Sequence, residues 1–398
     1  MARLGSWMPF EPGAKMIGHF THVDVSEPTV RRATERAGNA YEEVQRAELE
    51  TLLKELPEAP AGPGVQQISV DGAMVPLVGG QWAEVKTLAI GTVKQRVVKG
   101  EEEVSTEELS YFSRMADHES FKRLALVETH RRGTEKAGEV AAVNDGAEWE
   151  QGFVDYHRPD AVRILDWGHS TEHLSAAAQA VFGAGTAQTS EWLGVQLKEL
   201  KHGDPEKVLN GLRGLRDGLL AREEGERDGG ALKLVTGSLE YLEKRRDQIR
   251  YAEFMAAGLP IGSGAVESGN KLVVEFRLKG SGMHWAREHV NPMVALRNVV
   301  CSDRWDEAWA QIVERLRQEA KERAEQRRIE RAAAKAAALE PDVQPLVAVE
   351  PIEKTAPVAI AVAEPAPIPR PSKPAGSHHR PAANHPWRRM PIGRARAA

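Results

Sequence analysis

The run Gln67-Ile68-Ser69-Val70-Asp71-Gly72-Ala73-Met74-Val75-Pro76-Leu77 largely alternates apolar with small or polar side chains and carries an Asp-Gly near its centre. A period of two marks a half-buried strand. Gly79-Gly80 comes next, a hairpin turn signal, and residues 82–93 form a second β-compatible run. Residues 95–104 add a charged stretch with the character of an edge strand. Residues 106–132 read as a helix, with Leu109, Phe112, Met115, Phe121, Leu124 and Val127 along one face. A strand at 139–145 ends on a second Asp-Gly, a short helix opens at Glu148, and a strand at 161–166 follows. Three strands, a helix, a strand, a helix and a strand predict an α/β fold: a mixed sheet with helices on both faces.

That order is ribonuclease-H-like, although propensity alone admits other α/β sheets. From residue 170 to 259 the pattern turns helical throughout. Val208, Leu212, Leu215 and Leu219 recur at helical spacing, as do Val235, Leu239 and Leu242. Gly203-Asp204 and Asp228-Gly229-Gly230 break the run into separate helices. It reads as a large all-helical insertion between two parts of a core, 65–169 and 260–312. Residues 313–339 are a charged helix. The tail, 340–398, is Pro/Ala-rich and expected to be disordered. Its terminal stretch carries Arg370, Lys373, Arg380, Arg388, Arg389, Arg394 and Arg396 with no acid. A basic arm of this kind tracks phosphates without reading sequence; a solubilising tail is the alternative.

Residues 1–60 form a helical N-terminal segment. One helix covers 14–21. A short basic one follows, Thr29-Val30-Arg31-Arg32-Ala33-Thr34-Glu35-Arg36, with Ser26 as cap, Pro28 in its first turn and Gly38 as stop. The pair resembles a helix-turn-helix that would bring Arg31 and Arg32 to a major groove. A plain helical hairpin with solvated arginines gives the same pattern.

A chain of 398 residues is long enough for two or three units, and a 41% hydrophobic share supports a core. The formal charge of -5 gives no whole-chain argument for polyanion binding. Cys301 is the lone cysteine, which excludes an internal disulfide framework and a Cys-based zinc site and fits a reducing cytosol. No stretch approaches the ~20 apolar residues of a membrane span. A soluble, cytoplasmic protein is expected.

Asp71 and Asp145 each close an apolar run on an Asp-Gly. Far downstream, Gly262-Ser263-Gly264-Ala265-Val266-Glu267-Ser268 sets a glutamate just after a turn that opens a helix. Two strand-borne aspartates and one helical glutamate offer hard oxygen ligands, the set that suits two Mg²⁺ or Mn²⁺ ions ~4 Å apart. Asp71 would bridge the ions, with Asp145 on one and Glu267 on the other. Glycine after each aspartate lets a metal or backbone come close, although an isolated Asp-Gly is most often a turn. Asp166, also at a strand end, is the rival for the second acid. His169 and His173 stand one helical turn apart, a zinc-gripping spacing for which local packing is the plainer reading.

The third string continues through Asn270-Lys271 to Arg277-Leu278-Lys279-Gly280-Ser281-Gly282-Met283-His284-Trp285. Beside it stand Val70-Asp71-Gly72, Asp145-Gly146-Ala147-Glu148-Trp149, and Ile164-Leu165-Asp166-Trp167-Gly168-His169 running on to Glu172-His173-Leu174. Together these blocks resemble the insertion-sequence Kra family of bacterial DDE transposases, kin to the Mutator-like elements, over residues 65–310. The resemblance implies a catalytic and metal-binding triad of Asp71, Asp145 and Glu267, with Asp166 and His169 as a separate support motif. It implies DNA as partner, held at its phosphates by Lys271, Arg277, Lys279 and Arg287, unless these form only a solvated face. Trp285 would stack on an unpaired base or else sit in the core. The implied activity is nicking of element ends and their joining to target DNA by a homo-oligomer. Family members carry a longer N-terminal region, so incomplete end recognition is expected here. A non-catalytic DNA-binding derivative and a structure-selective nuclease are the alternatives.

Overall fold

The computed structural model describes residues 1–98, 101–223, 228–280 and 282–337; the tail from 340 onward, with its basic residues, lies outside them. Strand β1 (Val65–Pro76) runs antiparallel to β2 (Trp82–Val98), with Asp71 opposite Thr87. Gly79 and Gly80 turn the hairpin at φ 85° and 76°, values that favour glycine. Antiparallel β3 (Glu101–Arg114) flanks β2. On its other side β1 pairs in parallel with β4 (Glu139–Asn144), which pairs in parallel with β5 (Val162–Leu165). The order is β3-β2-β1-β4-β5, a five-stranded mixed sheet.

Because successive strand residues point to opposite faces, the sheet buries two apolar layers. On one face Ile68, Val70, Leu88, Ile90, Val140 and Ala142 meet Phe121 of α4 (His118–Leu124) and Phe153 and Val154 of α6 (Glu148–His157). On the other, Ala141, Val143 and Ile164 meet α7 (Trp167–Phe182), α8 (Ala187–His202), α9 (Pro205–Leu220), α10 (Gly229–Lys244) and α11 (Tyr251–Ala256). Asp166, Thr186, Asp204 and Asp228 cap four of these helices through side-chain acceptors, so each begins where a capping residue satisfies its free N–H groups. Further along that second face, Ala73, Val75 and Val85 meet α12 (Gly264–Gly269), a π turn (Asn270–Glu275), α13 (Phe276–Leu278) and α14 (Arg287–Cys301). Asp71 has the parity of Ala73 and Val75. It therefore points to the face on which α12 lies.

Two expectations are corrected. Residues 106–114 are strand, not helix, and the edge strand expected at 95–104 straddles the end of β2 and the start of β3. Leu109, Phe112 and Met115 imitate a helical period, but pairing of Tyr111 with Ala89 and Phe112 with Leu88 decides the conformation. Helical structure begins only at α4, followed by α5 (Leu126–Arg131).

The second correction concerns Gly38. After α1 (Ala2–Trp7) and α2 (Phe10–Thr21), helix α3 (Glu27–Glu55) passes straight through it. A Cβ there would stand 2.2 Å from the Pro292 carbonyl oxygen of α14, so the glycine permits a close helix crossing. The crossing joins Ala37, Ala40 and Tyr41 to Ala295, Leu296 and Val299, with Trp305, Ala308 and Ile312 of α15 (Trp305–Ala337) closing the cluster. Gly38→Ala should thus destabilise the protein by roughly 1–3 kcal/mol. An open helix position would instead gain about 1 kcal/mol from alanine. Urea unfolding decides between the signs. No described helix is long and apolar enough to cross a membrane.

Candidate metal centre

At the carboxyl ends of the parallel strands a small cleft is lined by Asp71, Asp145, Asp166, His169, Ser263 and Glu267. Asp71 reaches it from within β1. Asn144, the last residue of β4, accepts the Val70 N–H at 2.7 Å and aligns the two strands so that Asp145 emerges beside Asp71. Glu267 comes from α12. Carboxylate oxygens of Asp71, Asp145 and a residue not singled out from the sequence, Glu150, lie within 4.8 Å of one another. Glu267 lines the same cleft but is not in that tight set.

Neutral donors hold the carboxylates. Asp71 accepts the Gly72 N–H at 2.6 Å and the Asn270 amide at 2.8 Å. Asp145 accepts the Ala147 N–H at 2.9 Å, and the Ser263 hydroxyl stands 3.4 Å from Glu267. Among the described residues none of the three forms an ion pair with a cation. Burial pushes the Asp71 carboxyl above its ordinary value, and the charges of Asp145 and Glu267 add to the rise against the two hydrogen bonds. Hard oxygens converging with uncompensated charge fit a divalent cation.

Glu150 has a different role. Its Oε2 accepts the N–H of Gly146 at 2.9 Å and of Ala147 at 3.1 Å, which closes half of a capping box at the start of α6. Burial, then the hydrogen bond and charge of Asp145, push its carboxyl up to about 10. Among the described residues no donor reaches its Oε1, which suits a neutral carboxyl whose proton faces Asp145. Glu150 props the Asp145 turn, and with Asp71 and Asp145 it makes a set of carboxylates that could hold a metal ion; while it keeps its proton it is the weakest ligand of the three.

No protein-family model matches the chain, and no curated protein matches it.

The other predicted residues divide by what they touch. Asp166 spends both oxygens on backbone, accepting the His169 N–H at 2.8 Å and the Ser263 N–H at 2.6 Å. It caps α7 and ties the segment before α12 to the end of β5, which leaves Asp145 the freer second acid. Helix α10 grips the Asp145 turn: the Tyr241 hydroxyl donates to the Asp145 carbonyl, and Arg245 donates to the Gly146 carbonyl at 2.6 Å. Tyr241 is sandwiched between the His173 ring, 4.1 Å away, and the Arg245 guanidinium, 3.7 Å away. Burial, then His169 and Arg245, push His173 below its ordinary value. His169 and His173 meet edge to face at 5.4 Å, an aromatic contact, and neither belongs to a metal-ligand cluster among the described residues. Gly146 has φ 86°, and a Cβ there would meet Arg245 Nε at 2.3 Å, so the second Asp-Gly is needed on two counts.

Lys271, Arg287, Arg31 and Arg32 are exposed, and so is Lys279, paired with Glu275 at 2.6 Å. Arg277 is not a surface cation. It is 2% exposed, donates to the Gly5 carbonyl at 2.9 Å and lies against Phe10 and Trp285, so in this conformation it cannot reach a phosphate. Trp285 is core, its indole N–H donating to the Leu278 carbonyl.

Proposed function

We propose that the chain is a DDE-type DNA transposase with a ribonuclease-H-like catalytic core. One observation carries the reading: Asp71, Asp145 and Glu267, distant in sequence, line a single cleft at the carboxyl ends of parallel strands. Open α/β sheets place their ligand sites at such strand ends. The sheet supports it too, since an antiparallel β1–β2–β3 meander continued by two strands in parallel agrees with the ribonuclease-H-like order expected from the strand and helix pattern.

Asp71, Asp145 and Glu267 would hold two Mg²⁺ or Mn²⁺ ions, which supply activation of the attacking oxygen and neutralisation of the leaving one. The protein's own part is to hold these carboxylates in place and aimed. Neutral donors orient Asp71 and Asp145 without compensating their charge, and the Glu150 prop, the Tyr241 hydroxyl and Arg245 fix the Asp145 turn. Water would attack phosphorus at an element end, breaking the bond to the 3′ oxygen. The freed 3′-hydroxyl would then attack a target phosphate and displace the target's own 3′ oxygen. Exposed Lys271, Arg287 and Lys279 would meet phosphates, and a homo-oligomer would hold two ends in the cytoplasm.

The test is strand transfer of a pre-cut terminal inverted repeat into a target plasmid in Mg²⁺. Wild type should join the ends, whereas Asp71→Ala and Glu267→Ala should lose joining by roughly a thousandfold or more. Cleavage indifferent to the terminal repeat would indicate a structure-selective nuclease. End binding with no chemistry would indicate a non-catalytic derivative.

A further inference from the structure

We infer that Asn270 is a positioning residue for the metal centre: its amide fixes the Asp71 carboxylate and leaves that carboxylate's charge uncompensated. The inference rests on the metal-binding reading of Asp71. Asn270 sits on the helical run that carries Glu267, at the first residue of the π turn. Such turns shift the phase of a helix and gather at functional sites. Its predecessor Gly269 makes the approach possible. A Cβ on Gly269 would stand 2.8 Å from the Tyr111 ring and 3.3 Å from the Thr87 methyl, and Thr87 is the residue that faces Asp71 across the β1–β2 ladder. With no side chain there, the run settles against the sheet and the next residue reaches β1.

What reaches β1 is an amide donor. Asn270 Nδ2 donates to Asp71 Oδ2 at 2.8 Å, while the Gly72 N–H holds Oδ1, so the plane of the carboxylate is fixed at both oxygens. Asn270 is buried, and its Oδ1 has no hydrogen-bond partner among the described residues. A buried, unsatisfied carbonyl oxygen costs stability, and an apolar side chain would fill the place without that cost. A lysine or arginine would hold Asp71 as firmly but would compete with a cation for its charge. A neutral donor fixes geometry and leaves the charge available, as an outer partner of a metal ligand must.

Asn270→Leu and Asn270→Ala, prepared as full chains, test this by Mn²⁺ titration alongside apo-protein melting. Loss of an outer partner lowers metal affinity by about 10–100-fold, and a weakening in that range is expected in either variant that melts cooperatively. The apo melting temperature of Asn270→Leu should stay near or above wild type, because an unsatisfied oxygen is removed. Wild-type affinity in a folded variant would overturn the inference and leave the metal centre standing. Failure of wild type itself to bind Mn²⁺ would overturn both. A variant that loses stability and affinity together, with affinity restored once it is refolded by stabilising osmolyte, would mark Asn270 as structural only.

Discussion

Replacing Glu150 with glutamine should stabilise the protein above neutral pH and flatten its pH dependence. The folded protein holds the Glu150 proton until pH is about 10, whereas the unfolded chain releases it near its ordinary value of 4.5. Between those values the native state binds the extra proton, so stability falls as pH rises, by up to ~1.4 kcal/mol per unit. Glutamine copies the protonated side chain: its oxygen accepts the Gly146 and Ala147 N–H groups, and its amide donates towards Asp145. It has no proton to lose. At pH 8 Glu150→Gln should therefore exceed wild type by roughly 2–4 kcal/mol, a large part of a typical folding free energy. Glu150→Ala leaves the buried Gly146 N–H without its acceptor, while Ala147 N–H keeps Asp145, and should be less stable than wild type at pH 5 by roughly 1–3 kcal/mol. Urea unfolding from pH 5 to 9 measures all three. Parallel curves for wild type and Glu150→Gln would mean that Glu150 is ionised in the fold.

Four of the five strands were readable because their apolar pattern is local: β1, β2, β4 and β5 follow from alternation or short apolar runs, with Gly79-Gly80 marking the hairpin. The conformation of β3 is set by its partner. Leu109, Phe112 and Met115 fit a helical period, and only the β2 ladder makes them strand. Gly38 misleads for a related reason. Its helix-stop signal is local, while the Pro292 backbone that requires a glycine lies far along the chain.

At the candidate site Asp71 and Asp145 stood out because each follows an apolar run with an Asp-Gly inside a block of the family resemblance, whereas an Asp-Gly alone reads as a turn. The residues that hold them did not stand out. Glu150 left a trace, a glutamate three positions after Ala147 at a helix start, but alanine hides a box normally announced by serine or threonine. Asn270, Tyr241 and Arg245 left none, since an amide, a phenol and a guanidinium on helices read as ordinary surface until the fold brings them to β1 and the Asp145 turn. Arg277 shows the converse error. Its charge reads as solvent-facing, yet Phe10 and Trp285 bury it against the N-terminal helices.

The second large effect is loss of metal when Asp71 loses its charge. Asp71→Asn keeps the shape of the side chain, but an amide ligates a hard cation far more weakly than a carboxylate. Mn²⁺ binding should fall by at least about a hundredfold, several kcal/mol in a site built on charge. Glu267→Gln should weaken binding of one of two ions. Glu150→Gln should leave binding unchanged, because a neutral carboxyl adds little to the ligand set. One titration of Mn²⁺ into the full chain and these three variants, followed by the paramagnetic signal of free ion, tests the whole arrangement. Two ions bound by wild type, lost with Asp71→Asn and kept with Glu150→Gln, is the result expected. No ion bound, or ions indifferent to Asp71 and Glu267 but lost with Glu150, would contradict it.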